Sequence, residues 1–300
     1  MMQRLIARGD NFLRKRSFTY VRFSAMRKFL HQIDQTKPPL IVYQMGKVGS
    51  SSVVATLNAV APDYQIFQIH TFSREWVAKQ EQQYRQAAGF HGTYSIDNHV
   101  IASSYLLDRR ERRPAGERWK YISLVRDPVA RNISAFFQAY PIYFAAKTSG
   151  YNDTEVNSKP VQELEREFVE EFGEWRHKMP TVWYQSFIEP TLGIDVFSVP
   201  FDRERGYQIY HGPDADLLLL RFEDLNQKLP AALDAFLGVS ANSVQKANIS
   251  SEKGYAETYG AFKTNLALPE SYLDTLYESA FARHFYSQEE LAAFRRRWTR

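Results

Sequence analysis

"QMGKVGSSSVVATL", residues 44–57, joins an apolar run to a segment with helical spacing. The run Leu40–Gln44 follows Pro38-Pro39 and predicts a buried strand, whereas "VVATLNAV" predicts a helix. Strand, glycine-bearing loop and helix form the arrangement in which loop amides and a helix N-terminus meet an anion. The pattern therefore predicts an anion site directly after the first strand.

The loop departs at two positions from the nucleotide-triphosphate pattern G-x-x-x-x-G-K-[ST]. Ile41 stands where the first glycine belongs, and Val48 stands where the magnesium-binding hydroxyl belongs. The hydroxyls come later, in the serine run 50–52 behind Gly49. The loop thus combines a lysine, a flexible turn and several hydroxyls, but offers no hydroxyl at the usual metal position.

Further apolar runs predict strands at residues 64–70 ("YQIFQIH"), 93–100 ("TYSIDNHV"), 121–125, 193–201 ("GIDVFSVPF") and 216–225 ("DLLLLRFEDL"). The C-terminal third is mostly helical by pattern, with Ser287 as a predicted helix cap. Alternating strands and helices predict an α/β domain with a doubly wound, mainly parallel sheet. We place this domain at residues 38–300, behind a basic helical extension of residues 1–37.

The composition fits a globular protein, with 44% hydrophobic and 24% charged residues among 300. The absence of cysteine excludes disulfides and thiolate metal sites. No apolar run is long enough to cross a bilayer, and no signal peptide is evident. These features favour a cytoplasmic location.

The net charge of +4 is unevenly placed along the chain. Residues 1–37 carry nine Lys/Arg and two Asp, so the remainder has a net negative charge. The basic N-terminal segment is predicted to form an amphipathic helix that either lies on an anionic membrane surface through residues 1–30 or packs beside the domain. The folded body lacks the basic excess that nucleic-acid binding requires, so no nucleic-acid partner is predicted.

A second anion site is predicted after the strand at residues 121–125. There Asp127 is a good helix N-cap and Pro128 a good first helical residue. Arg126 precedes this helix, and Ser134 lies eight positions further on. Because ligands bind beyond the carboxyl ends of parallel strands, the two anion sites are expected to share one edge of the sheet.

The two motifs together resemble those of the sulfotransferases. "KVGSSS" is similar to their 5′-phosphosulfate loop, "RDPVARNIS" to their 3′-phosphate motif, and "LLRFEDL" to a downstream strand–helix signature. The chain resembles more closely a sulfotransferase-like family of bacterial capsular polysaccharide synthesis proteins, through motifs spread over residues 40–291. That family's signature Asn-Lys-Trp-Tyr-Ser appears here only in part, as "TVWYQ" at residues 181–185.

The resemblance implies a P-loop sulfotransferase-like fold and the donor PAPS (3′-phosphoadenylyl sulfate), with no metal. It also implies that Lys47 stabilises charge on the bridging oxygen as the sulfuryl group leaves. The residues predicted to hold the donor are Gly46, Lys47, Val48, Gly49, Ser50, Ser51, Ser52, Arg126 and Ser134. Arginine can grip a phosphate through two parallel hydrogen bonds, which suits Arg126 to the 3′-phosphate.

The acceptor hydroxyl must lose a proton, and a histidine suits that task. His99 and His70 are the candidate bases, because each stands at or near the end of a predicted strand, on the expected edge of the sheet. The carboxylates of Glu75, Asp97 and Asp127 are alternatives, although Asp127 fits the helix cap better. No two histidines have the i, i+4 spacing of a zinc motif, so no metal is predicted.

The sequence thus predicts a PAPS-dependent sulfotransferase acting on a hydroxyl of a capsular or cell-surface carbohydrate or its precursor. Two alternatives stay open: a nucleotide-dependent kinase, and a non-catalytic capsule-biosynthesis protein that retains a nucleotide pocket. An aromatic group could form a wall for the acceptor sugar or could be plain core; it comprises Trp183, Tyr184, Phe187, Tyr207 and Tyr210.

Overall fold

The computed structural model describes residues 17–91, 94–143, 155–245 and 254–299, with no side chains for 87–91, 141–143 and 155. A five-stranded sheet forms the centre of the described chain. Its strands are β1 (Pro39–Tyr43), β2 (Gln65–Ile69), β3 (Trp119–Val125), β4 (Tyr207–His211) and β5 (Ala215–Arg221).

The strand order is β2-β1-β3-β5-β4. Strands β2, β1, β3 and β5 run parallel to one another, and β4 pairs antiparallel with β5 at the edge of the sheet. The central strands are almost wholly buried because helices pack around the sheet, which explains their continuous apolar runs. The predicted α/β class with a mainly parallel sheet is therefore confirmed.

The helices alternate with the strands and then fill the C-terminal third. They are α1 (Phe18–Leu30), α2 (Ser50–Val60), α3 (Arg74–His91), α4 (Asn98–Arg112), α5 (Pro128–Tyr143), α6 (Val161–Arg166), α7 (Glu174–Trp183), α8 (Glu189–Leu192), α9 (Leu225–Leu237), α10 (Ala256–Asn265), α11 (Glu270–Tyr277), α12 (Ala280–Phe285) and α13 (Gln288–Arg296). Ser287 caps α13 in a reciprocal capping box with Glu290, as the sequence predicted.

Strand β1 is the point at which the winding of the sheet reverses. The chain leaves β1 for β2 on one side and later returns to β3 on the other side. At such a point the loops that follow the two adjacent strands diverge, and a crevice opens at their carboxyl ends. The loops after β1 and β3 carry the two predicted anion motifs, so the topology brings both motifs to this crevice.

Helix α1 packs beside the domain. Phe18 and Val21 are buried, Phe29 contacts Phe67 of β2, and Arg22 forms an ion pair with Glu81. This placement corresponds to the packed alternative for the basic segment, while residues 1–16 lie outside the described residues. Among the described helices, none is both long and apolar enough to cross a membrane.

Two predicted strands are wrong. In the segment 93–100, the Asp97 side chain accepts the backbone N–H of His99 and begins α4, so helix capping overrides the extended reading; Thr93 itself lies outside the described residues. In the segment 193–201, Asp195 accepts the N–H of Phe197 and its carbonyl accepts the Ser198 hydroxyl. These local bonds form a turn and take up backbone groups that a strand would need.

The aromatic group proposed as an acceptor wall belongs to the core. Trp183 stacks on Phe187 with ring centroids 4.4 Å apart, and both are buried. The Tyr184 hydroxyl donates to the carbonyl of Leu124, directly before the Arg126 corner. Tyr207 and Tyr210 are buried in the edge strand β4, which the sequence reading missed.

Candidate functional site

A cleft of about 570 Å³ opens at the carboxyl ends of β1, β2, β3 and β5. The cleft is lined by both candidate histidine bases and by every residue predicted to hold the donor except Val48, whose side chain is fully buried. The lining consists of Gly46, Lys47, Gly49, Ser50, Ser51, Ser52, Gln68, His70, His99, Arg126, Ser134, Gln138, Phe222, Glu223, Leu225 and Asn226. Segments far apart in the sequence thus meet in one place, although their roles remain predictions.

The loop after β1 has an unusual backbone. Lys47 has a φ of +74°, and within the described chain it is the only non-glycine residue with positive φ. Gly49 has a φ of +90°, and a Cβ there would lie 2.5 Å from the Phe222 ring. Position 49 therefore requires glycine both for its conformation and for the close approach of Phe222.

Two arginines of the β3–α5 segment hold this loop. Arg126 Nη1 donates to the carbonyl of Lys47 at 2.8 Å, and Arg131 Nε donates to the carbonyl of Gly46 at 3.1 Å. Arg131 is buried, and burial lowers its pKa to about 10, so it still carries its charge at neutral pH. Positive charge is thereby fixed beneath the loop where an anion is expected.

Ser50 is held by two glutamines that the sequence reading did not single out. Its Oγ accepts hydrogen bonds from Gln44 Nε2 at 2.9 Å and from Gln68 Nε2 at 2.7 Å. With both lone pairs used, the hydroxyl hydrogen remains to donate. The glutamines therefore orient Ser50 as a donor suited to an anion. In the sequence, the feature that could have revealed them is a polar side chain at the end of an apolar strand.

Arg126 keeps donors for a ligand. Its guanidinium lies 4.4 Å from the Phe222 ring centroid, and Nη1 makes the one hydrogen bond found for it among the described residues. The Nε–Nη2 edge is the pair of donors that binds a phosphate in two-pronged fashion. Burial, reinforced by repulsion from Arg126, lowers the pKa of Lys263 on α10, which is a further cation near this end of the cleft.

The two candidate bases lie side by side, with ring centroids 4.3 Å apart and ring planes tilted by 50°. His99 Nδ1 lies 2.9 Å from the carbonyl of Gln68, and His70 Nδ1 lies 2.9 Å from the carbonyl of Gln44. Since a carbonyl only accepts, each Nδ1 carries the proton and each neutral ring has its lone pair on Nε2. Both histidines can therefore accept a proton at Nε2.

Their surroundings distinguish the two rings. Burial, reinforced by repulsion from His99, lowers the pKa of His70 to about 4, which makes it a weak base. The side chain of His99 is 29% exposed, and its Nε2 lies 3.9 Å from Asp97 Oδ1. His99 is thus more accessible than the buried His70 ring and has a carboxylate near its Nε2, so it is the better candidate base of the pair.

The alternative carboxylates have other partners. Glu75 pairs with Lys79 away from the cleft, and Asp97 caps α4. Asp127 is buried and accepts the N–H of Val129 at 3.0 Å, which confirms it as a helix cap. A carboxylate that the sequence reading missed, Glu223, borders the cleft; it accepts the N–H of Asp127 at 2.9 Å and thus ties the β3 and β5 corners together.

A buried polar network supports Arg131, one of the two arginines that hold the loop. Asn132 donates to the carbonyl of His177 at 2.9 Å, and His177 lies between the carbonyl of Phe168 and the hydroxyl of Tyr272. The Phe168 carbonyl requires the proton on Nε2, so Nδ1 accepts the hydroxyl of Tyr272. Burial lowers the pKa of His177 to about 4.

This network predicts a loss of stability in acid. An unfolded histidine with its ordinary pKa of about 6.5 binds a proton between pH 6.5 and 4, whereas folded His177 stays neutral. The contribution of His177 to the free energy of unfolding is therefore complete above pH 6.5. It falls as pH decreases, by at most about 1.4 kcal/mol per pH unit. Urea unfolding of wild type and His177→Gln at pH 7, 5.5 and 4.5 tests this. We expect the stability gap to narrow in acid; parallel curves would contradict it.

Residues 166–287 match a family model described as "NKWYS: Putative capsular polysaccharide synthesis protein". The match covers less than half of the chain and shows that this segment is similar to a capsular polysaccharide synthesis domain. No curated protein and no solved structure matches the chain.

The matched segment forms one wall of the cleft and much of its support. It contains β4 and β5, and it contributes Phe222, Glu223, Leu225 and Asn226 to the lining. Its buried Arg221 binds Asp224 through Nε, and through Nη1 it reaches Glu290 at 2.9 Å, just beyond the match. The anion loop and Arg126 lie outside the matched residues, so the family description bears on the supporting half of the site.

Proposed function

We propose that the protein is a sulfotransferase that transfers a sulfuryl group from PAPS to a hydroxyl of a capsular or cell-surface carbohydrate or its precursor. The observation that carries this proposal is the meeting of the loop 46–52, the Arg126–Ser134 pair and His99 in one cleft. A ligand with two separate anionic ends matches a cleft with two cationic ends. The similarity of residues 166–287 to a capsular synthesis domain supports a carbohydrate acceptor.

In this proposal some residues of the cleft bind the donor and another accepts the proton. Ser50 donates its hydroxyl hydrogen, and the first turn of α2 presents N–H groups without helical acceptors to the phosphosulfate end. Arg126 and Ser134 hold the 3′-phosphate end. As the acceptor oxygen bonds to sulfur, its proton passes to His99 Nε2 and the bond from sulfur to the phosphate oxygen breaks. Lys47 then offsets the charge that develops on that oxygen, and 3′,5′-ADP leaves.

The kinase alternative is weaker on structural grounds. The Val48 side chain is fully buried where a nucleotide-triphosphate loop presents its metal-binding hydroxyl. The non-catalytic alternative is favoured by one finding, since the matching family description names a synthesis pathway and no reaction. It differs from our proposal in expecting binding without turnover.

The proposal predicts that 3′,5′-ADP binds with micromolar-class affinity and raises the melting temperature. At a hundredfold excess over the dissociation constant, about 2.7 kcal/mol of stabilisation is expected. Calorimetry with 3′,5′-ADP and ATP as matched ligands tests it. Tighter binding of ATP would contradict the sulfotransferase assignment and favour a kinase.

Measured in the same titration, Arg126→Ala and Arg126→Lys separate the contribution of the positive charge from that of the planar guanidinium. Alanine should weaken 3′,5′-ADP binding by roughly 1.5–3 kcal/mol, the range for a charge-assisted hydrogen bond. Lysine keeps the charge but loses the planar fork, so it should restore only part of the affinity. Labelled PAPS with a panel of glycans then distinguishes a transferase from a protein that only binds.

A further inference from the structure

A second cavity, of about 680 Å³, lies at the other end of α4 from the cleft. Helix α4 begins beside His99 and ends at Arg112, a length of about 20 Å at 1.5 Å per residue. Its lining includes Met26, Leu30, Asp108, Arg109, Arg112 and Glu117. It shares no residue with the cleft, so it is a separate feature of the molecule.

Two of its arginines have no carboxylate partner. Within the described residues, no carboxylate lies within ion-pair distance of Arg109 or Arg112, whereas Arg22 and Arg113 pair with Glu81 and Asp214. Arg109 Nη2 donates to the carbonyl of Lys37 at 3.0 Å, and its Nη1 is buried without a hydrogen-bond partner. Arg109 and Arg112 therefore bring positive charge to the cavity without an ion-pair partner among the described residues.

The carboxylates in the lining are already engaged. Asp108 accepts Arg74 Nη2 at 2.7 Å, and Glu117 accepts the indole N–H of Trp119 at 2.8 Å. The helix dipole favours arginines in the last turn of α4, but it does not explain why two of them border a cavity without a carboxylate partner among the described residues. Arg109 and Arg112 lie one turn apart on the same face, where an anion between them would relieve their repulsion.

An apolar stripe leads into this cavity from α1. Phe23, Met26 and Leu30 follow one another at intervals of three and four residues, so they share a face of the helix. That face is distinct from the one that buries Phe18 and Val21 against the domain. Phe23 is 66% exposed and Leu30 37% exposed, so the stripe continues from the cavity onto the surface.

We propose that this cavity binds the phosphate headgroup of an anionic membrane lipid. Arg109 and Arg112 hold the phosphate, and the Phe23–Met26–Leu30 stripe contacts the acyl chains. The net charge of residues 1–37 adds long-range attraction to an anionic surface. This site holds the protein by the end of α4 opposite the cleft, so the cleft faces away from the bilayer.

The test is co-sedimentation of the full chain with phosphatidylcholine vesicles, with and without phosphatidylglycerol. The double variant Arg109→Gln/Arg112→Gln is compared with Arg166→Gln/Lys178→Gln, which removes the same charge from exposed side chains on α6 and α7. We expect the first pair to weaken binding to anionic vesicles about thirtyfold, and the second pair by less than about threefold. Melting curves establish that all variants are folded.

Three results would overturn the proposal. One is equal binding by both double variants, and another is loss of binding only on deletion of residues 1–16. The third is Arg109-dependent binding of soluble glycerol phosphate without any preference for anionic vesicles, which would identify a free phosphoester as the ligand. Leu30→Asn tests the stripe, since it should weaken vesicle binding and leave glycerol phosphate binding unchanged.

Discussion

Replacing Lys47 with alanine is expected to lower kcat for sulfuryl transfer by about 10²–10³-fold while the affinity for 3′,5′-ADP changes little. A charge-stabilising group contributes more in the transition state than in the ground state, and 3′,5′-ADP lacks the bond from sulfur to oxygen whose breaking develops the charge. Single-turnover rates with labelled PAPS, alongside calorimetry with 3′,5′-ADP, measure the two quantities separately.

The backbone at this position determines the controls. Lys47 has positive φ, so any side chain there is strained, and its carbonyl holds Arg126 whatever the side chain. Lys47→Met keeps the length without the charge, and Lys47→Gly removes the side chain and also the strain. In both variants kcat should fall as far as in Lys47→Ala. Lys47→Arg should recover only part of the rate. Unaltered turnover in Lys47→Met would remove Lys47 from the mechanism.

Replacing His99 with asparagine is expected to lower kcat by about 10²–10⁴-fold, the usual contribution of a general base. Asparagine Nδ2 can still donate to the carbonyl of Gln68, as His99 Nδ1 does at 2.9 Å. The variant therefore removes the proton acceptor and preserves the local hydrogen bond. Binding of 3′,5′-ADP should be unchanged.

His70→Asn is the matched control, since the neighbouring ring makes the same contact with Gln44. Folded His70 has a pKa of about 4, so it is neutral above pH 5 and contributes no titration near neutrality. We expect His70→Asn to retain kcat near neutral pH, whereas His99→Asn loses it. If kcat falls equally in both variants while the fold stays intact, the general base is His70 or the two histidines acting together.

The parts of the site that the sequence predicted correctly are those with a local cause. The helix after Gly49 and the cap at Asp127 follow from glycine, N-cap and proline preferences within a few residues. The convergence of the loop and Arg126 was also predictable, because parallel strands place their carboxyl ends at one edge.

What the sequence did not predict depends on distant contacts. The glutamine pair around Ser50 forms only when β1 and β2 lie side by side, and Glu223 reaches Asp127 only through the pairing of β3 with β5. The strand predicted over residues 193–201 failed for the opposite reason, because the Asp195 turn competes locally with an apolar pattern. Long-range geometry and local hydrogen bonding thus account for both kinds of error.

The hydrogen bond from Arg126 to the carbonyl of Lys47 makes one guanidinium common to both anion subsites. A phosphate that draws Arg126 towards Ser134 also changes the restraint on the loop that faces the sulfuryl group. Such coupling is reciprocal, since each end of a ligand alters the affinity of the other end by the same factor. If the cleft binds PAPS as we propose, its two ends are coupled through Arg126, so the binding free energy of a nucleotide with both anions should differ from the sum for two half-ligands.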